Sequence, residues 1–289
     1  MNSRPRNTSY SEQNILLAVN NLPAMPQVVR KARTLIQSSA SSLKDVANLL
    51  ETDQALAIRV LRMANSVYYS RMGRVSSVQE AAVVLGLKTL GELITVAFTS
   101  RLLGSSLKGY GLPARSLWKH SLAAAVGSRM IANLKFAALA NQAFLAGLVH
   151  DAGKLILDPY ILERKEEFSE YLTDDEQTFL SAEKKLFGFD HAEIAAKVCQ
   201  KWNFPRSTSI AIEYHHDPSR SLGNKLTYVI HVADQIAQCS YTDSEGRTCE
   251  FDDDSIQILG IEKNDVELIV AKLARCVDNI VEAVESEGK

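Results

Sequence analysis

The feature that most restricts the fold of this chain is its apolar periodicity. Apolar residues recur at spacings of three and four along nearly its whole length, and alternation at a spacing of two is almost absent. Spacings of three and four gather side chains on one face of an α-helix, whereas a half-buried strand needs alternation. Only 14 glycines and 7 prolines occur among 289 residues, so few positions interrupt a helix. The expected fold class is therefore all-α. With 46% hydrophobic residues the chain can bury a sizeable core, which excludes a disordered or disulfide-framed protein.

Start and stop signals divide the chain into helices. Residues 1–12 are polar and are expected to form a flexible N-terminus. Leu22-Pro23 and Met25-Pro26 bracket an extended lead-in to a helix over Gln27–Ile36. Ser42 with Asp45 reads as a capping box for a helix carrying Leu43, Val46, Leu49 and Leu50. Thr52 or Asp53 caps a third, and Gly86 splits Ser77–Leu85 from Thr89–Leu102. The glycine-rich stretch Gly104–Pro113 is the best linker in the chain. It separates an N-terminal helical lobe, residues 13–105, from a larger lobe, residues 106–289. The second lobe has expected helices at Ala114–Leu134, Ala137–Leu155, Pro159–Tyr171, Thr173–Phe187, Asp190–Trp202, Ser207–Tyr214, Gly223–Gln238 and, at the C-terminus, Asn264–Glu287. Ser240–Asp254 reads as an acidic surface loop. Trp118 and Trp202 flank apolar stripes and are expected to be buried.

Charge and leader signals narrow the function classes. The net charge is −2, from 32 basic and 34 acidic residues, so no global field draws the chain to nucleic acid or anionic membrane. Lys31, Arg33, Arg59 and Arg62 lack the interleaved aromatics of a stacking platform, which makes nucleic acid a poor partner. The apolar stretch Phe136–Val149 is broken by Asn141 and Gln142 and is shorter than the about 20 residues a span requires, so no membrane role is expected. Met1–Asn14 carries no apolar leader core. Cys199, Cys239, Cys249 and Cys276 form no C-x-x-C pair. Together these point to reduced thiols and a cytoplasmic location.

The histidines are the chemical signal. All six, His120, His150, His191, His215, His216 and His231, lie beyond residue 105. His150-Asp151 joins an imidazole and a carboxylate at the end of an apolar helix. Asp190 and Glu193 mark a second capping-box pattern, placing His191 in a helix's first turn. His215-His216 closes a short helix. Asp234 sits on the apolar stripe of its own helix, with Ile230 at i−4 and Ala237 at i+3, where a carboxylate is costly unless paired or bound to a metal. Taken singly, a histidine at a helix end is more often a cap or a solvated residue than a ligand. As a set, these groups form an N/O ligand inventory without thiolate, suited to Fe, Mn, Zn, Co, Ni or Mg.

The order His120, His150-Asp151, Asp234 resembles the HD superfamily of metal-dependent phosphohydrolases. His150-Asp151-Ala152-Gly153-Lys154 is similar to the H-D-x-G-K string of its HD-GYP phosphodiesterase branch, and His191 with His215-His216 matches that branch's extra ligands. Leu22–Pro26, the Asp53-x-x-Leu56 helix, Leu61–Ser66, Ala81–Gly86, Trp118–Ser121 and Phe187–His191 resemble the HDOD (HD-related output domain) family. Two departures stand out. Asp217–Leu222 replaces the Gly-Tyr-Pro loop linked to cyclic-dinucleotide turnover, and Ser116 replaces a glutamate that accompanies a third metal.

The resemblance implies a helical lobe packed on an HD-like bundle and one or two divalent ions (Fe, Mn, Zn, Ni or Mg). Asp151 would bridge both ions. His120, His150 and Asp234 would complete one position, and His191, His215 and His216 the other. Asp151 and Lys154 would carry catalysis, Lys154 as a point charge toward a phosphoryl oxygen. His231 lies outside the matched pattern and reads as a supporting polar residue. Two functions compete: a phosphohydrolase or phosphodiesterase acting on a phosphate-containing small molecule or nucleotide, and a signalling module that binds a protein partner, its metal structural or sensory.

Overall fold

In the structure, a computed structural model, residues 15, 17–19, 25–38, 41–70, 73–172, 178–242 and 251–285 are described. The expected flexible N-terminus (1–12) and the Leu22-Pro23 step lie outside them. The described residues are helical and hold no strand; Leu107 and Leu112 alone form an isolated antiparallel bridge. The chain is all-α.

The first helices follow their caps. α1 (Gln27–Gln37) begins after Pro26, and α2 (Leu43–Leu50) starts at a reciprocal capping box between Ser42 and Asp45. α3 (Gln54–Ala64) is capped by the Asp53 carboxylate, which accepts from Leu56 N. α4 (Val78–Leu102) is capped by Ser77 and breaks at Gly86, whose φ of 77° is the left-handed conformation that glycine adopts without a Cβ penalty. α4 is long and apolar enough to cross a bilayer, a possibility weighed in the sequence only for Phe136–Val149. Half of its most apolar stretch is buried, and Glu92 in its middle pairs with Arg129, so packing accounts for its composition.

The second half of the chain supplies α5 (Ser116–Lys135), α6 (Ala140–Val149), α7 (Lys154–Glu163), α8 (Lys165–Glu170), α9 (Phe179–Phe187), α10 (His191–Lys201), α11 (Arg206–Glu213), α12 (Lys225–Thr242), α13 (Asp253–Leu259) and α14 (Lys263–Glu285). One apolar core runs through both halves, from Ile15 to Val284, and holds both tryptophans as expected. α5 is its central rod. A Cβ added at Gly147 of α6 would stand 2.8 Å from Ala124 O, and one at Gly127 would stand 3.5 Å from Ala233 of α12. These close crossings hold α6 and α12 against the same rod.

Several boundaries differ from the sequence reading. The single helix expected over Ala137–Leu155 is a short 3-10 turn (Ala137–Leu139), then α6, a turn at His150–Gly153, and α7. The turn packs closely on α10: a Cβ at Gly153 would lie 2.0 Å from the carbonyl oxygen of His191, so glycine is required there. Pro159 falls inside α7 rather than starting a helix, because Ile156, Leu157 and Ile161 anchor the segment in the core. The Thr173–Phe187 helix begins at Phe179 behind a Thr178–Ser181 capping box; residues 173–177 lie outside the described set. The expected loop Ser240–Asp254 is helical to Thr242 and again from Asp253, where Asp252 caps α13 and Ile256 and Leu259 are buried; residues 243–250 lie outside the described set. Cys199 and Cys276 are free thiols, but Cys239 is disulfide-bonded, since separation in sequence does not prevent pairing.

The turn at Gly153 generates a prediction. Gly153→Ala should destabilise the protein by about 1–3 kcal/mol, because the new methyl meets backbone rather than a movable side chain. Urea unfolding should show a lower midpoint with native helicity retained; an unchanged midpoint would contradict this packing.

Candidate metal centre

All seven residues singled out from the sequence meet in one place. His120 lies on α5, His150 and Asp151 in the turn after α6, His191 at the first position of α10, His215 and His216 just after α11, and Asp234 on α12. The helix crossings explain the meeting. Ala124 stands one turn after His120 and touches Gly147, one turn before His150; Ala233 touches Gly127 and precedes Asp234. Asp190 caps α10 by accepting from Glu193 N, which presents His191 from a helix N-terminus.

The donor atoms form three overlapping groups: His120, His150 and Asp151; His150, His215 and Asp234; His191, His215 and His216. Within each group they lie inside 4.8 Å of one another. Asp151 faces both sides, with Oδ2 at 3.5 Å from His120 Nε2 and 3.6 Å from His150 Nε2, and Oδ1 at 3.1 Å from His191 Nε2. Asp234 Oδ1 stands 2.9 Å from His120 Nε2 and 3.4 Å from His150 Nε2. His191 Nε2 and His216 Nε2 approach to 2.8 Å. Five of the seven residues are buried; His120 and His216 are half-buried.

Hydrogen bonds on the far side of each ring fix which nitrogen turns inward. His150 Nδ1 donates to Gly147 O at 2.7 Å, and His215 Nδ1 to Ile212 O at 2.7 Å. That leaves Nε2 of both rings buried without a hydrogen-bond partner, together with Asp151 Oδ1 and Asp234 Oδ1. Buried polar atoms without partners are uncommon in folded proteins, and four converging ones of donor type fit an N/O metal site. Gln238 Nε2 satisfies the other Asp234 oxygen at 3.0 Å. His231 supports the site as read from sequence: its Nδ1 donates to His215 O at 2.7 Å. Lys154 Nζ is 2.6 Å from Asp151 Oδ2.

Sequence reasoning passed over Glu183. This fully buried carboxylate on α9 accepts from the His191 backbone N at 2.7 Å and from His191 Nδ1 at 2.8 Å through Oε2, and from the Tyr110 hydroxyl at 2.7 Å through Oε1. The rule that drew attention to Asp234 would have found it, since Phe179 at i−4 and Leu186 at i+3 share its apolar face. No comparable pattern marks Tyr110, which sits in the linker.

The charges are mutually stabilised. Burial pushes the Asp151 carboxyl up, but Lys154, His150 and His191 outweigh it and hold the group well below the carboxylate range. Asp234 is held down in the same way, against burial, by His120 and His150. Burial lowers His191, yet the Glu183 and Asp151 carboxylates outweigh that and the Lys154 charge, lifting it to about 9. Burial, with the neighbouring His150, pushes His215 down to about 3.

The signs set a pH optimum for the metal-free protein. The raised His191 contributes stability present below its ordinary value near 6.5 and lost as pH rises through about 9. The depressed His215 contributes stability present above 6.5 and lost as pH falls toward 3, where the two depressed aspartates add to the loss. Urea midpoints of chelator-treated protein should peak near pH 6.5 and fall toward both pH 9 and pH 5. A midpoint rising steadily to pH 9 would contradict these assignments.

Comparison with known proteins places this geometry in a family. A sequence profile of the HDOD domain matches residues 22–218. The crystal structure of an HDOD domain protein with unknown function from Geobacter sulfurreducens superposes with a TM-score of 0.73 at 26% identity, covering 94% of this chain and 98% of that one. A "Putative phosphohydrolase" from Shewanella amazonensis SB2B superposes with a TM-score of 0.74 at 24% identity, over 95% of this chain and 99% of the other, and shares the fold. An uncharacterized protein of Treponema pallidum (strain Nichols) is 24% identical over 228 residues, 74% of this chain; the match spans only 42% of that longer protein. The chain belongs to the HDOD domain family.

Proposed function

We propose that this HDOD protein binds two divalent cations at the cluster and acts in signal transduction as a metal-dependent phosphohydrolase, cleaving a phosphomonoester or phosphodiester of a small molecule or nucleotide. One observation carries the reading: seven N/O donors from five places in the fold converge, with two ring nitrogens and two carboxylate oxygens left buried and without hydrogen-bond partners. The absence of thiolate suits Fe, Mn, Zn, Ni or Mg. Such a pair of cations supplies Lewis acidity toward phosphate oxygens.

In this reading His120, His150 and Asp234 would hold one cation and His191, His215 and His216 the other, and Asp151, with one oxygen toward each group, would serve both. Backbone carbonyls keep His150 and His215 in the tautomer whose Nε2 lone pair points inward. His120 and His216, half-buried where the other five are buried, are the two ligands a substrate would meet first. Lys154 keeps Asp151 ionised and lies within reach of a phosphoryl oxygen beside it. Residues 13–105 form the regulatory lobe and residues 106–289 the metal-holding lobe, since every donor lies beyond residue 105.

A second reading, a non-catalytic signalling module with a structural or sensory metal, draws on a single observation: Lys154, the ammonium paired within the cluster, is already committed to Asp151 at 2.6 Å. The two readings part in a direct experiment. Elemental analysis after anaerobic reconstitution with Mn²⁺ or Fe²⁺ should find about two ions per chain. Asp151→Ala should lose both, and His216→Ala should retain about one. A phosphoesterase screen of the loaded protein should show turnover that Asp151→Ala lowers by at least about 100-fold. Less than about one ion per chain would overturn the metal site, and two ions without turnover would favour the module.

A further inference from the structure

We propose that Glu183 is a positioning residue for the metal centre, holding His191 so that its Nε2 faces the cluster, and that Tyr110 ties this support to the segment joining the two halves of the chain. The inference rests on the metal-binding reading above and adds an asymmetry to it. His150 and His215 each donate Nδ1–H to a neutral backbone carbonyl three residues earlier. His191 instead donates to a carboxylate, which makes its ring the more basic donor of the three. A fully buried carboxylate is costly unless its oxygens are satisfied, and here they are: Oε2 takes both the backbone N–H and the ring N–H of His191, and Oε1 takes the Tyr110 hydroxyl.

The support is rigid back to the linker. The Tyr110 ring packs edge-on against Phe168 and Phe179 at centroid distances of 5.8 and 5.4 Å. Its backbone N–H and that of Gly109 donate to Asp158 Oδ1 on α7, at 3.4 and 2.8 Å. Gly109 is required by this docking, since a Cβ there would lie 2.4 Å from Asp158 O. A hydrogen-bonded path therefore runs from α7 through Tyr110 and Glu183 to a ring that faces Asp151. Three side chains and one helix end are fixed relative to one another.

The test is a Zn²⁺ competition titration of the full chain with a chromophoric chelator. In Glu183→Gln one of the two stepwise affinities, that of the ion His191 would hold, should fall 10–100-fold while the other is unaffected. Tyr110→Phe, which removes only the hydroxyl and keeps the packed ring, should give a smaller loss of about 3-fold, and the double variant should lose no more than Glu183→Gln alone. In NMR spectra of the Zn²⁺-loaded protein, the low-field His191 Nδ1–H resonance should move upfield in Glu183→Gln, a change that a merely structural residue would not produce. Wild-type protein binding two ions, with Glu183→Gln and Tyr110→Phe binding both equally well, would overturn this inference and leave the metal site standing. Wild-type protein holding no ion would overturn both.

Discussion

Two ionised carboxylates, Asp151 and Asp234, sit in the apolar middle of a helical bundle, and the surrounding architecture compensates that burial. An isolated buried carboxylate is strongly unfavourable. Here Lys154 and the rings of His120, His150 and His191 surround the pair and outweigh the desolvation. The same arrangement leaves four buried metal-donor atoms facing inward without hydrogen bonds, the opening that the proposed cations would fill. The close crossings at Gly127 and Gly147, the turn at Gly153 and the cap at Asp190 all serve to bring these groups to one point.

The site is also uneven. On one side, backbone carbonyls orient the rings of His150 and His215; on the other, the Glu183 side chain accepts from His191. In the proposed two-ion site, ligands of unequal basicity would give two positions of unequal affinity. The support on the tighter-held ring leads through Tyr110 to the linker rather than into solvent. Two hydrogen bonds therefore separate Tyr110 from the His191 ring.

Much of this was legible in the sequence, for local reasons. Helix periodicity and the caps at Ser42, Asp53 and Asp190 are encoded within a few residues, and the structure reproduces them; that Ser77 caps its helix rather than beginning it came from the structure. Asp234 announced itself as a charge on an apolar stripe. What stayed hidden depends on contacts between distant segments. The close approach of Gly153 to the His191 carbonyl, which glycine alone permits, joins segments 38 residues apart and carries no local signal. Pro159 reads as a helix start until the core contacts of Ile156 and Leu157 are seen to have begun the helix earlier. Glu183 lies on as apolar a face as Asp234, but its partner Tyr110 is 73 residues away and carries no periodic signal. The short helix Asp253–Leu259 was obscured by acidic surroundings in which Asp252 is a cap rather than a loop residue.

The central claim is that these seven side chains hold paired metal ions. Anomalous diffraction from crystals grown with Mn²⁺ tests it most directly. The account predicts two anomalous peaks about 3.5–4 Å apart, one on each side of Asp151 and each within bonding distance of at least two of the named histidines or Asp234. No peak at Asp151, or manganese bound only elsewhere on the protein, would contradict it.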